Sequence, residues 1–244
     1  MNYIVYDLEF NQSFSKDNNV SDLTFEIIQI GALKLNENLE VIESFNRLVK
    51  PTVYFKIHPY IENLTQISTD MVMSQEQFPH VYNEFIDFIG KEEFVSCVWG
   101  SGDIKELIKN INFHKLKILD NFKKYIDIQK LMCTYMKTPK GIKMGLSSAI
   151  EFFNISASKE FHNAFNDAYY TAEVFKKLYT PGIKISVYEN NSSKTKIAAI
   201  PKKKLDTSRL FAQIEKMHGR SLSDEEKSLI KLAYNMGRTH QFLK

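Results

Sequence analysis

The stretch YIVYDLEFNQ, Tyr3 to Gln12, constrains this chain more than any other. Its first half, Tyr3-Ile4-Val5-Tyr6, is apolar and β-branched or aromatic, the pattern of a buried strand. The run then delivers two acids, Asp7 and Glu9, at what reads as the strand's end. Side chains at i and i+2 of a strand point to the same face. The two carboxylates therefore lie side by side and repel, unless something positive lies between them.

The rest of the chain supplies a scaffold for that strand. With 244 residues, 43% hydrophobic and 25% charged, there is enough apolar material for one full domain plus an appendage. EIIQIGALKL (26–35) and VIESFNRLVKP (41–51) read as strands joined by a turn at 36–38, an antiparallel meander with the first. TQISTDMVMS and SQEQFPHVYNEFIDFIG read as helices, the second with a stripe of Phe78, Val81, Tyr82, Phe85, Phe88 and Ile89 ended by Gly90. EFVSCVWG is a fourth strand, DIKELIKNI a helix, the first half of KYIDIQKLMCTYM a fifth strand, and LSSAIEFFN and residues 163–179 further helices. Strands first, then strands alternating with helices, predict an α/β fold with a mixed sheet flanked by helices.

Charge divides the chain. Residues 201–244 hold ten Lys/Arg against five Asp/Glu, leaving 22 against 24 for residues 1–200. The expected organisation is a domain over 1–182, a polar linker over 183–204, and a basic helical hairpin over 205–244 whose second helix starts at a capping box, Ser223 to Glu226. Lys202, Lys203 and Lys204 stand in a row there, suited to nonspecific contact with phosphates. No leader-like or membrane-spanning run is present, and the two cysteines, Cys97 and Cys133, lack metal or disulfide spacing. Both read as buried thiols of a reduced, cytoplasmic protein.

Three more residues bear on the acids. Asp103 follows the fourth strand directly; alone it is an ordinary helix N-cap. His162 and Asp167 stand five apart in HNAFND, and if His162 precedes the helix its ring can fold back toward Asp167. Asp167 is followed by the apolar AYYTAEVF, an awkward place for an uncompensated carboxylate. Four acids in a partly buried cleft require a cation. All-oxygen ligands suit Mg²⁺ or Mn²⁺, and a pair of such ions is the clamp used for attack on phosphodiesters. A histidine is a suitable base for the attacking water.

The order Asp-x-Glu, Asp, His-x4-Asp resembles the DEDDh group of 3′→5′ exonucleases, the superfamily of the polymerase III proofreading subunit, ribonuclease T and oligoribonuclease. EIIQIGALKL, KIHPYIENLTQIS, VSCVWGSGD and HNAFNDAYYTAEVF extend the likeness over roughly residues 1–180. Among branches it is most similar to the KapD-like exonucleases of the sporulation-inhibitor type. The resemblance implies an RNase H-like fold of five strands with the second antiparallel. It implies that Asp7, Glu9 and Asp167 hold one of two metal ions, that Asp7 also holds the second with Asp103 reaching it through water, and that His162 is the general base. It further implies that Leu8, Phe10, Leu64 and Thr65 contact the terminal nucleotide of a single strand, RNA or DNA. The link GSGD is longer than the family's and bears on where Asp103 lands. The rival reading is a regulatory nucleic-acid-binding protein that keeps the fold and acts through its basic C-terminal helices.

Overall fold

The computed structural model describes residues 1–14, 23–139, 141–189 and 207–230. The chain divides into two units, Met1–Glu189 and Asn190–Lys244. The first is built on a sheet of six strands: β1 (Asn2–Gln12), β2 (Phe25–Leu35), β3 (Val41–Leu48), β4 (Phe94–Val98), β5 (Lys124–Asp127) and β6 (Ser186–Val187). Their spatial order is β3-β2-β1-β4-β5-β6. β1 pairs antiparallel with β2 and parallel with β4, and β6 runs antiparallel to β5. The mixed α/β architecture is the expected one, with one strand more than the five expected. β6 is a two-residue edge strand inside the segment whose polarity reads as linker; backbone pairing to Lys124 and Tyr125 needs no apolar pattern, so composition does not reveal it. The first unit accordingly runs on to Glu189.

Helices cover both faces: α1 (Pro59–Thr65), α2 (Thr69–Met73), α3 (Phe78–Ile89), α4 (Gly102–Phe113), α5 (Ile128–Tyr135), α6 (Leu146–Phe152) and α7 (Ala164–Leu178). Strand alternation sorts β1 into two sets. Ile4, Tyr6 and Leu8 enter the core shared with α3 and α4, where the whole predicted stripe Phe78 to Ile89 is buried. Tyr3 and Val5 enter the core shared with α5, α6 and α7. By the same alternation Asp7 and Glu9 belong to the α7 side, and Leu8 to the other. The strand does not end at the acids but continues to Gln12. What ends is its parallel neighbour: pairing with β4 stops at Val5–Cys97, so the acids lie where β1 has only β2 beside it. That is the C-terminal edge of the parallel strands, where ligand crevices form in α/β sheets.

Cys97 is buried in β4. Cys133 is half-buried and sits in α5, where the helix begins directly after Asp127 caps it through Lys130 N. The expected strand in the first half of KYIDIQKLMCTYM is thus Lys124–Asp127, and Cys133, expected to be buried, is only partly so. In the second unit, α8 (Thr207–His218) is followed by Gly219 at φ 65°. Ser223 and Glu226 form the reciprocal capping box, each backbone N–H donating to the other's side chain. The bulk of the linker and the end of the basic hairpin lie outside the described residues, and among those described no helix is long and apolar enough to cross a membrane.

Helix α7 meets the sheet at Gly31. A Cβ there would overlap the backbone of Ala164 and Phe165, and Gly31 is the β2 partner of Asp7. The Gln29 side chain, opposite Glu9, accepts from Ala164 N at 3.1 Å and donates to Asn46 Oδ1 at 3.0 Å. Gly31→Ala is expected to push the first turn of α7 off the sheet, at about 1–3 kcal/mol as for other overpacked cores. Thermal unfolding tests this: the melting temperature should fall by several degrees, and a variant melting with the parent protein would mean that α7 has room to spare.

Candidate active site

The N-terminus of α7 is assembled locally. Asn163 caps it, its Oδ1 accepting from Phe165 N and Asn166 N. His162 precedes the cap with φ 61°, a left-handed conformation uncommon for a residue with a side chain. This turn aims the His162 backbone N–H at Asp167 Oδ2, 3.1 Å away. Asp167, in the first helical turn, also sits at the positive end of the helix dipole. Its other oxygen, Oδ1, is buried without a hydrogen-bond partner. A buried carboxylate oxygen left bare is costly unless a cation meets it.

The structure brings Asp7, Glu9 and Asp167 together, each offering an oxygen within 4.8 Å of the others. Asp103 is outside that triad, at the second position of α4; Ser101, not Asp103, is the cap residue. Its charge still acts on the group. Burial lifts the Asp7 carboxyl well above the usual range, helped by Asp103, then Asp167 and Glu9. Glu9 is pushed up to about 7, by burial and then Asp167. Asp103 is pushed up to about 8, by burial and then Glu9, Asp167 and Glu106. Burial raises Asp167 too, partly offset by the His162 N–H and its ring. Among the described residues no Lys or Arg forms an ion pair with any of the four. Acids that all favour protonation, with one bare buried oxygen and only oxygen donors, fit a hard divalent cation.

His162 is exposed, its placement fixed by backbone rather than by packing of its ring. Leu8 is buried in the α3–α4 core, so its side chain faces away from the triad. Phe10 is half-buried, edge-to-face with Phe25 at 6.3 Å. Leu64 is half-buried and Thr65 buried; the Thr65 hydroxyl donates to Ile61 O and accepts from Ile67 N. Thr65, Gln29 and Asn163 border a cavity of about 480 Å³, which none of the four acids lines. Three positioning residues escape a reading of motifs. Gln29 pins α7 as described. Asn11, wholly buried, and Glu26 hold the loop ahead of α1. Asn11 Nδ2 donates to Tyr54 O and Lys56 O and its Oδ1 accepts from His58 N, and the Glu26 carboxylate accepts from the backbone of Thr52, Val53 and Tyr54. The one clue is their alternation: Gln29 and Gly31 share the face that Asp7 and Glu9 share.

The family model described as an exonuclease of the RNase_T type matches residues 4–175. The chain is 31% identical over 177 residues to the DNA polymerase III PolC-type of Clostridium perfringens (strain 13 / Type A), covering 71% of this chain and 11% of that protein. It is 23% identical over 182 residues to the 3'-5' exoribonuclease 1 of Rattus norvegicus, covering 71% of this chain and 52% of that one. The chain thus spans about half, or much less, of the length of these curated relatives. Among solved structures, the nuclease domain of 3'hExo, a DEDDh family member bound to rAMP, superposes with a TM-score of 0.66 at 23% identity, covering 77% of this chain and 96% of that one. Cell-death related nuclease 4 follows at 0.65 and 19%, covering 76% and 66%.

The raised acids set a pH dependence for the metal-free protein. A folded state whose acids have raised pKa values holds protons that the unfolded chain has already released, so stability falls as pH rises. The window runs from the ordinary carboxylate range up to about 7 for Glu9 and about 8 for Asp103. In EDTA the melting temperature should therefore decline from about pH 5 to pH 8, and Asp7→Asn should flatten that decline. A melting temperature that climbs over this range would show that the carboxylates are not repelling one another.

Proposed function

Because the chain belongs to the RNase_T exonuclease family, we propose that it hydrolyses phosphodiester bonds from the 3′ end of single-stranded nucleic acid, using two divalent ions, Mg²⁺ or Mn²⁺, and His162 as general base. The observation that carries the reading is the carboxylate triad contributed by β1 and α7 with the bare oxygen of Asp167. Asp7, Glu9 and Asp167 would hold one ion, and Asp7 with Asp103 the other. When bound, such ions would neutralise charge on the phosphate and lower the pKa of a water, so that it can lose a proton and attack.

The chain's own residues do the rest. A ring nitrogen of His162 takes the proton of the attacking water, and the bond from its backbone N–H to Asp167 keeps the ring close to the acids. Phe10, Leu64 and Thr65 flank the terminal nucleotide, and Leu8, with its side chain in the core, contributes through its backbone. Asn11 and Glu26 keep α1 at a fixed height over β1. The names of the relatives include both an exoribonuclease and a DNA polymerase, which supports nucleic acid as the substrate class. The basic residues of 201–244 add nonspecific attraction for phosphates.

Incubation of 3′-labelled and 5′-labelled single strands should show shortening from the 3′ end that requires Mg²⁺ or Mn²⁺ and stops with Asp7→Asn. Equal turnover by the EDTA-treated protein would sink the mechanism. His162→Ala should lose about 10²- to 10⁴-fold in kcat, the usual contribution of a positioned base, while Mn²⁺ still raises the melting temperature as it does for the parent protein. A near-normal rate would leave His162 with a structural role alone.

A further inference from the structure

The rim of the site farther along β1 carries side chains that neither the fold nor the proposed chemistry uses. Phe14, Phe55 and Tyr60 are 58%, 60% and 62% exposed. Single exposed rings are common on protein surfaces. These three instead occupy one short stretch, residues 54–60, and the strand end that it is tied to. The tie is Asn11, which fixes three successive points of the stretch, Tyr54 O, Lys56 O and His58 N, each at 2.9 Å. Glu26 holds the preceding backbone through Thr52, Val53 and Tyr54. His58 is locked in turn: its Nδ1 accepts from Tyr60 N as the cap of α1, and its ring lies 5.1 Å from that of Phe14. Exposed Lys56 stands between Phe55 and His58.

Asn11 follows Glu9 by two residues on one strand, a separation of roughly 7 Å. The rim is therefore held at a set distance from the acids. Rings that are exposed yet pre-ordered lose little entropy on contact, and every nucleobase offers a face that stacks on them. A cation among them suits the phosphates that such a strand must bring.

We propose that Phe14, Phe55, His58 and Tyr60 form a stacking platform for the unpaired bases that precede the terminal nucleotide, with Lys56 on their backbone. This rests on the nucleic-acid reading above and narrows it: the rim selects an unstacked single strand, of either sugar, over a duplex, whose bases are not free to stack.

The test is equilibrium binding of fluorescent oligonucleotides by the full chain in EDTA, which needs no hydrolysis, alongside cleavage in Mn²⁺. Phe14→Ala and Phe55→Ala should each weaken binding of a single-stranded decamer at least about fivefold. Phe14→Trp should restore it, and cleavage of a dinucleotide should be unchanged in all three. Unaltered decamer binding by the alanine variants, tight duplex binding by the parent protein, or an equal loss on dinucleotide and decamer would each overturn the platform. Failure of the parent protein to cleave any oligonucleotide would instead strike the proposed chemistry, and the binding comparison would still decide the platform.

Discussion

Repulsion among Asp7, Glu9, Asp103 and Asp167 is the constraint around which the first unit is arranged. Two like charges about 4 Å apart cost about 4 kcal/mol at the effective dielectric of a protein surface, and each of these acids is half-buried. Something has to hold Asp167 against the pair on β1. The inner face of α7 does so, burying Tyr170, Val174, Phe175 and Leu178. At about 1.5–3 kcal/mol for each large apolar side chain, packing outweighs the pairwise cost. Gly31 lets the helix approach, Gln29 fixes its first turn, and Asn163 caps it. The same packing takes the four carboxyls out of water, and burial rather than any single neighbouring charge is the largest cause of their raised pKa values.

One strand reconciles the two demands. Positions 4, 6 and 8 of β1 go to the core beneath α3 and α4, while positions 3 and 5 pack under α7 and positions 7 and 9 meet its start. The change from Val5 to Asp7 on one face coincides with the end of pairing to β4. A carboxylate one pair earlier would be sealed between strands on both sides; here β1 has a strand on one side alone. The shift in register after Glu9, where Phe10 pairs with Ile27 and skips Ile28, turns the strand's last residues toward the loop that Asn11 holds.

Local pattern carried much of this architecture. The stripe Phe78 to Ile89 is buried in full, Gly90 closes that helix, and Ser223 and Glu226 cap each other. Spacing rules of helices act within a few residues, so such features are visible in a single sequence. The acids were equally visible because their chemistry is conspicuous. The turn that carries Asp103 from β4 into α4 was not, since it depends on backbone angles, with Gly100 at φ 89°. Nor were Asn11, Glu26 and Gln29, whose bonds reach backbone 26 to 135 residues away. A buried amide satisfied at such range leaves no periodic trace. The aromatic rim escaped for the same reason: Phe14 and His58 are far apart in sequence and meet only through the Asn11 tie.

The seam at Gly31 has a consequence for how the protein comes into being. Asp7 precedes Asp167 by 160 residues, so no chain cut short between them holds the triad. Long-range pairing of this kind is the late, slow part of folding. A ribosome-bound fragment therefore carries two acids on an early strand and no complete centre. The triad arrives as a single event, when α7 docks on β2. The same seam makes the finished centre a sensor of its own integrity: any opening that lifts α7 separates the ligands before the rest of the sheet is disturbed.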